Sequence, residues 1–235
     1  MAKVGIVVFP GSNCDHDIYH ILNDVVKLET EYVWHTSETV EKFDAIILPG
    51  GFAYADRLRA GIIAARSPIV KQIKKLAESG LPVLGICNGF QILVESGLLP
   101  GALLMNKGLQ FVCRWTKIEV LNTTTPFTKM FKTGDLIDIP VAHGEGRYTI
   151  DDDAYNELNR NNQIVLKYKN DNPNGSIDSI AGICNESGNV LGIMPHPERA
   201  SEEVLIPPGL GNNAILIFHS LLEFLTKQKS QISNV

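Results

Sequence analysis

One turn constrains this chain more than any other stretch. In residues 82–95, PVLGICNGFQILVE, an apolar strand-like run (Val83, Leu84, Ile86) meets Cys87, and an apolar helical pattern (Phe90, Ile92, Leu93) follows at once. Gly85-Ile86-Cys87-Asn88-Gly89 has the form of a nucleophile elbow, in which small flanking residues leave room for a strained strand-to-helix turn that lifts the central side chain out of the backbone. A helix starting just beyond Cys87 aims unpaired N–H groups and the positive end of its dipole at the sulfur. The Asn88 N–H then stands where an oxyanion is received.

The rest of the chain reads as a frame for that corner. Residues 3–9 (KVGIVVF) form a nearly continuous β-rich apolar run, as expected of a strand buried on both faces of a parallel sheet. Ser12 or Asn13 can cap the helix that Ile18, Ile21, Leu22 and Val25 outline. Cys14, His16 and His20 invite a metal reading, but with no further ligand cluster nearby, a solvated helix face beside Asp15 and Asp17 is the better one. Residues 30–35 and 45–48 are the next two strands, the latter ending in Pro49-Gly50-Gly51-Phe52. A Gly-Gly turn at a strand's C-terminal end is either an ordinary tight turn or a presented backbone N–H, and the elbow's need for a second oxyanion donor favours the N–H of Gly51. Ile69, Val70, Ile73 and Leu76 recur at helical spacing opposite Lys71, Lys74, Lys75 and Glu78, and Gly80 with Pro82 ends that helix.

After residue 103 the pattern changes. Residues 112–120 and 136–141 alternate without long helices between them, which suggests an antiparallel extension of a mostly parallel α/β sheet. Cys113, inside an alternating run, reads as a core residue. A loop follows, His143-Gly144-Glu145-Gly146-Arg147, in which His143 could be a base, a ligand contact or a turn residue. Residues 170–176 (NDNPNGS) are a turn between strands at 164–168 and 180–184, and Cys184 should be buried. The last strand, 190–194, leads into Pro195-His196-Pro197-Glu198-Arg199. Prolines after Met194 and His196 keep the chain extended, so His196 and Glu198 project to one side and suit a hydrogen-bonded pair. Asn212 can cap a final amphipathic helix through Ile215, Phe218, Leu221, Leu222 and Leu225. With no linker or internal repeat, residues 1–235 read as one domain, loosely ordered after about residue 227.

Composition excludes several functions. A 44% hydrophobic content supplies a sizeable core, and a net charge of -5 without a basic block argues against nucleic acid and anionic membrane as partners. The apolar run at the start is too short for a signal or spanning segment, so a cytoplasmic protein is expected. Four cysteines without a C-x-x-C pair argue for reduced thiols over a zinc knuckle or disulfide framework.

Cys87 on an elbow, His196 and Glu198 after a later strand, and Gly-rich loops at strand ends together compose a Cys-His-Glu triad for acyl transfer. The GICNGFQ, LPGG and MPHPE segments resemble class I (triad) glutamine amidotransferases. FPGSNCDHD, GGFAYADRLRAG, VCRW, IPVAHGEGRY and MPHPER extend the resemblance over nearly the whole chain to the glutaminase subunits of phosphoribosylformylglycinamidine synthase. It implies a flavodoxin-like three-layer sandwich that hydrolyses glutamine and delivers ammonia to a separate synthetase subunit in de novo purine biosynthesis, with a third small subunit in the assembly. ATP and Mg²⁺ would belong to the synthetase, leaving no cofactor or metal in this chain. Position by position, the resemblance makes Cys87 the nucleophile, His196 the base and Glu198 its orienter, and puts Gly51 and Asn88 in the oxyanion hole. It also sets Gln91 and the His143-Gly144-Glu145 loop against glutamine. Ala53-Tyr54-Ala55-Asp56-Arg57 departs from the family's usual Ser-Tyr-Gly-Asp-Tyr. Two competing readings are a stand-alone thiol amidase of the same architecture and a catalytically idle regulatory subunit.

Overall fold

The computed structural model describes residues 2–232. Its elements, in chain order, are β1 (Lys3–Val8), α1 (Asp15–Tyr19, continued by a π-helical stretch His20–Val25), β2 (Glu29–Trp34), β3 (Ala45–Leu48), α2 (Pro68–Glu78), β4 (Val83–Ile86) and α3 (Asn88–Glu95). There follow β5 (Ala102–Leu104), β6 (Val112–Val120), β7 (Leu136–His143), β8 (Arg147–Thr149), α4 (Asp152–Arg160), β9 (Ile164–Tyr168), β10 (Ile180–Cys184), β11 (Val190–Ile193) and α5 (Leu216–Ile232).

Nine strands form one sheet in the order β2-β1-β3-β4-β11-β10-β9-β6-β7, and β5 pairs with β8 in a small antiparallel sheet. From β2 to β11 every pairing is parallel, and from β11 to β7 every pairing is antiparallel. This is the α/β sheet with antiparallel extension that the two kinds of apolar pattern predict. β3, β4, β10 and β11 are buried at every position, as continuous apolar runs require, whereas β7 alternates buried and partly exposed residues. Crossovers β1-α1-β2 and β3-α2-β4 step in opposite directions along the sheet. Since parallel crossovers are right-handed, α1 and α2 lie on opposite faces, and the order reverses between β1 and β3, where open α/β sheets bind ligands.

Several local expectations are corrected. Cys14, not Ser12 or Asn13, is the N-cap of α1, and the Ser12 hydroxyl instead accepts the Phe9 N–H at 3.0 Å. Cys113 is exposed: β9 pairs only with residues 118–120 of β6, so the start of β6 runs past the covered part of the sheet. His143 closes β7 as its last residue and is not in a loop, and Arg147 opens β8. Asn212 precedes a 3-10 turn (Asn213–Ile215) without capping it by its side chain, and α5 starts only at Leu216. That helix continues to Ile232, where Ser230 Oγ bonds back to Thr226 O at 2.9 Å and Lys229 Nζ reaches Asp44 at 2.9 Å; residues 233–235 of the tail expected to loosen after about residue 227 lie outside the described residues. The helix α4 carries its own signal in Asp151, whose carboxylate accepts the Ala154 N–H, but its single buried residue, Leu158, gives almost no apolar period to read.

Candidate active site

Cys87 takes φ 50° and ψ −104°, the strained corner that the elbow demands of a non-glycine residue. Its neighbours must be glycine, because a methyl group at Gly89 would lie 2.0 Å from the Leu48 carbonyl oxygen and one at Gly85 would lie 2.7 Å from Gly89. The Cys87 N–H donates to Ile193 O at 2.8 Å, fixing the corner to the end of β11, and Sγ contacts Ala142 O at 3.7 Å. The first bond of α3 runs from the Gln91 N–H to Cys87 O at 3.1 Å. The N–H groups of Asn88, Gly89 and Phe90 therefore have no acceptor within the helix.

From the neighbouring strand β11 the chain reaches His196, whose N–H donates to Pro140 O at 2.9 Å. His196 (φ −106°, ψ 88°) falls just short of the extended region, and Pro197–Ala200 turn into a 3-10 helix in place of continued strand. That turn brings Glu198 under the imidazole, with Nδ1 2.6 Å from Oε1 and the two side chains 2% and 0% exposed. A proton on Nδ1 donated to the carboxylate leaves Nε2 as the basic nitrogen, and among the described residues no hydrogen bond occupies Nε2. Burial by itself pushes His196 down, but the charge of Glu198, and after it that of Cys87, overcomes burial and holds His196 well above the ordinary histidine value.

The Gly-Gly turn after β3 closes the other side. Gly51 has φ +146°, and a methyl group there would meet Asn13 N at 2.7 Å. Ser12 and Gly51 form an isolated bridge whose bonds run from Phe52 N–H to Gly11 O (2.8 Å) and Asn13 N–H to Gly50 O (3.3 Å), so the Gly51 N–H takes no part in it. Gly50 is as tightly placed, since a methyl group on it would lie 2.7 Å from His196 Cε1 and 3.0 Å from Cys14 Sγ.

Side chains join three loops at the start of α3. Asn88 Oδ1 accepts the Ala53 N–H at 3.0 Å, and its Nδ2 donates to Gln91 Oε1 at 2.8 Å and to Asp56 Oδ1 at 3.3 Å. Gln91 Nε2 continues the chain to Glu145 O at 2.7 Å. Asp56 is pushed up to about 6 by burial and by the negative charge of Glu145, against the Asn88 bond. Tyr54, Ala55 and Asp56 have φ of 56°, 58° and 50°, three consecutive side chains in the left-handed region.

The loop after β7 is organised from below. Asn106 Oδ1 lies 3.2 Å from His143 Nδ1 and accepts the Gly146 N–H at 3.0 Å, while its Nδ2 donates to His143 O at 2.9 Å. Asn174 Nδ2 donates to Gly146 O at 2.7 Å. His143 is buried, its Nε2 has no partner among the described residues, and burial followed by the nearby His196 charge lowers it to about 4.

Among the described residues, Cys14, His196 and Glu198 are the grouped side chains that could hold a metal ion, with ligand atoms within 4.8 Å of one another. Arg199 Nη2 stands 3.1 Å from the Cys14 sulfur, and that fixed cation opposes a metal there.

The chain matches the CobB/CobQ-like glutamine amidotransferase domain over residues 1–225. It belongs to that family. A chain in the structure of PurLQS from Thermotoga maritima is 48% identical, with 95% of this chain and 99% of that one covered at a TM-score of 0.86. A putative GMP synthase component from Thermoplasma acidophilum (15% identity, 99% and 98% covered, TM-score 0.63) shares the fold. A glutamine amidotransferase from Thermotoga maritima does so too (17% identity, 97% and 97% covered, TM-score 0.58).

In this amidotransferase the expected residues converge. Cys87, His196, Glu198, Gly51 and Asn88 line the C-terminal ends of β3, β4 and β11, and Gln91 joins them to Glu145. Sequence reading missed Gly50, Asn106, Asn174, and the Cys14–Arg199 contact. Asn174 sits in a segment that reads as a plain turn, and Gly50 differs from Gly51 only through a neighbour nearly 150 residues away.

Proposed function

We propose that this amidotransferase is the glutaminase subunit of a phosphoribosylformylglycinamidine synthase, hydrolysing glutamine and passing the ammonia to an ATP-dependent synthetase subunit. The observation that carries the chemistry is the buried 2.6 Å His196–Glu198 pair beside a cysteine on a strained elbow. The 48% identity to a PurLQS chain over 95% of this one supports the pathway.

In the proposed sequence, His196 Nε2 takes the Cys87 proton while Nδ1 stays bonded to Glu198, and the sulfur attacks the glutamine carboxamide carbon. The carbonyl π pair moves onto oxygen, which the N–H groups of Asn88 and Gly51 receive. Collapse breaks the C–N bond, and the His196 proton goes to the departing nitrogen, giving ammonia and a thioester. Water, deprotonated by His196, then attacks the thioester carbon; glutamate leaves and the proton returns to the sulfur. Gln91 and the His143-Gly144-Glu145 loop hold the substrate's amino-acid end. No step draws on a cofactor in this chain, and ATP and Mg²⁺ act in the synthetase.

The rim of the site suits a protein partner. Phe52 and Phe111 are 45% and 53% exposed with ring centroids 6.4 Å apart, and Leu58 and Leu109 are exposed on left-handed turns. Arg57 and Lys107 on the same loops are exposed and have no ion-pair partner among the described residues, so the partner face should be acidic around an apolar centre. The synthetase is the occupant this reading assigns, since ammonia released into water at neutral pH becomes protonated and non-nucleophilic. A third small subunit completes the proposed assembly.

Labelling with a glutamine-like electrophile (a diazoketone analogue) and peptide mass spectrometry tests the nucleophile. Modification of Cys87, blocked by excess glutamine, is expected. Labelling of the exposed Cys113 alone would contradict the assignment.

A further inference from the structure

The Glu198 carboxylate is tied to His196 by one of its two oxygens. Its Oε1 accepts from His196 Nδ1, while Oε2 is buried and has no hydrogen-bond partner among the described residues, so a single hydrogen bond orients the carboxylate. What stands beside the pair is Cys14. Its sulfur lies 3.9 Å from His196 Nδ1, is 2% exposed, and accepts from Arg199 Nη2 at 3.1 Å. Cys14 is itself rooted in the site: its N–H donates to Gly50 O at 3.1 Å, and its sulfur and the His196 ring crowd the same face of Gly50.

We infer that Arg199, acting through the Cys14 sulfur, is a positioning residue that holds the His196–Glu198 pair in register with the Gly50-Gly51 turn. The guanidinium is half-buried and next in sequence to Glu198. Its contact polarises the sulfur and fixes it against the nitrogen that binds Glu198. Arg199 also faces Asp17 across 3.6 Å, but Asp17 is half-exposed, and such a pair contributes little orientation. Because Cys14 caps α1 and bonds to the Gly-Gly turn after β3, the device couples the base and its orienter to the proposed oxyanion donor across separate strands. The inference rests on the glutaminase reading above.

The test is steady-state glutamate release by the assembled complex carrying Cys14→Ala, Cys14→Ser, Arg199→Leu, the Cys14→Ala/Arg199→Leu double variant, Asp17→Asn or Cys87→Ala. Melting curves run alongside. The expected result is a kcat loss of about tenfold or more in Cys14→Ala and in Arg199→Leu, with KM for glutamine little changed because the substrate-holding loop is untouched. The double variant should be no worse than the poorer single one, since both break one link. Cys14→Ser, which keeps an acceptor for Arg199, should recover most of kcat, and Asp17→Asn should match the wild type. Multiplying losses in the double variant, wild-type kcat in folded Cys14→Ala, or failure of Cys14→Ser to recover kcat would each overturn the inference. If Cys14→Ala does not fold, Arg199→Leu against Asp17→Asn decides it, and equal losses in those two would refute it. Turnover by Cys87→Ala would refute the glutaminase reading itself, a separate outcome.

Discussion

At the scale of single residues, space decides as much as chemistry. Gly50 has no side chain because the His196 ring needs that volume, so Gly50→Ala should displace the imidazole and lower kcat by roughly 10²-fold while circular dichroism stays native. Wild-type turnover in a folded Gly50→Ala protein would show that the ring is not held there. The proposed nucleophile and base are legible in the chain because each sits in a turn whose residue types do little else: a cysteine between glycines, a histidine between prolines. Gly50 and Cys14 are not, because their roles come from a neighbour that only folding supplies. His143 illustrates both sides. Its place in a Gly-rich segment leaves a base, a ligand contact and a turn residue open, and burial keeps it neutral near pH 7 with Asn106 on one nitrogen.

At the scale of elements, the loop from residue 53 to 58 and the end of β7 carry opposite pH responses. His143, lowered to about 4, binds more protons unfolded than folded between that value and about 6.5, so it makes stability rise with pH in that window. Asp56, raised to about 6, binds more protons folded than unfolded above about 3.9, so it makes stability fall as pH rises through the same range. Single variants should separate them. Thermal melts of His143→Gln should lose the rising contribution, and those of Asp56→Asn the falling one; unchanged pH slopes in both would contradict this account. Ala55, with φ 58°, stands where the family's usual pattern has glycine. Ala55→Gly should therefore stabilise by about 0.5–1 kcal/mol, the left-handed penalty less the added chain entropy, read from urea unfolding midpoints. Strands are the most readable elements, since β3, β6, β9 and β10 announce themselves by apolar runs or alternation. The helix α4 and the β5–β8 pair are not, being too polar or too short to show a period.

At the scale of the whole molecule, the switch from parallel to antiparallel pairing puts β7 and its following loop beside the ends of β4 and β11. The loop proposed to hold substrate thereby faces the proposed nucleophile, Cys87, carried on a different half of the sheet. The parallel half is readable from its unbroken apolar strands. The strand order, which makes Cys87 and His196 neighbours, is set by pairings across more than a hundred residues and has no local signature. Among the described residues, no helix is long and apolar enough to cross a membrane. The apolar, basic rim around the site gives the proposed coupling a physical form, in which the synthetase seals the mouth before ammonia can reach water. The most direct test of the whole account is glutamate release from glutamine by the purified chain, alone and then with its synthetase, ATP and the substrate nucleotide. Low turnover alone, a large rise with the synthetase, and loss of both in Cys87→Ala are predicted; equal turnover with and without the synthetase, or turnover that survives Cys87→Ala, would contradict it.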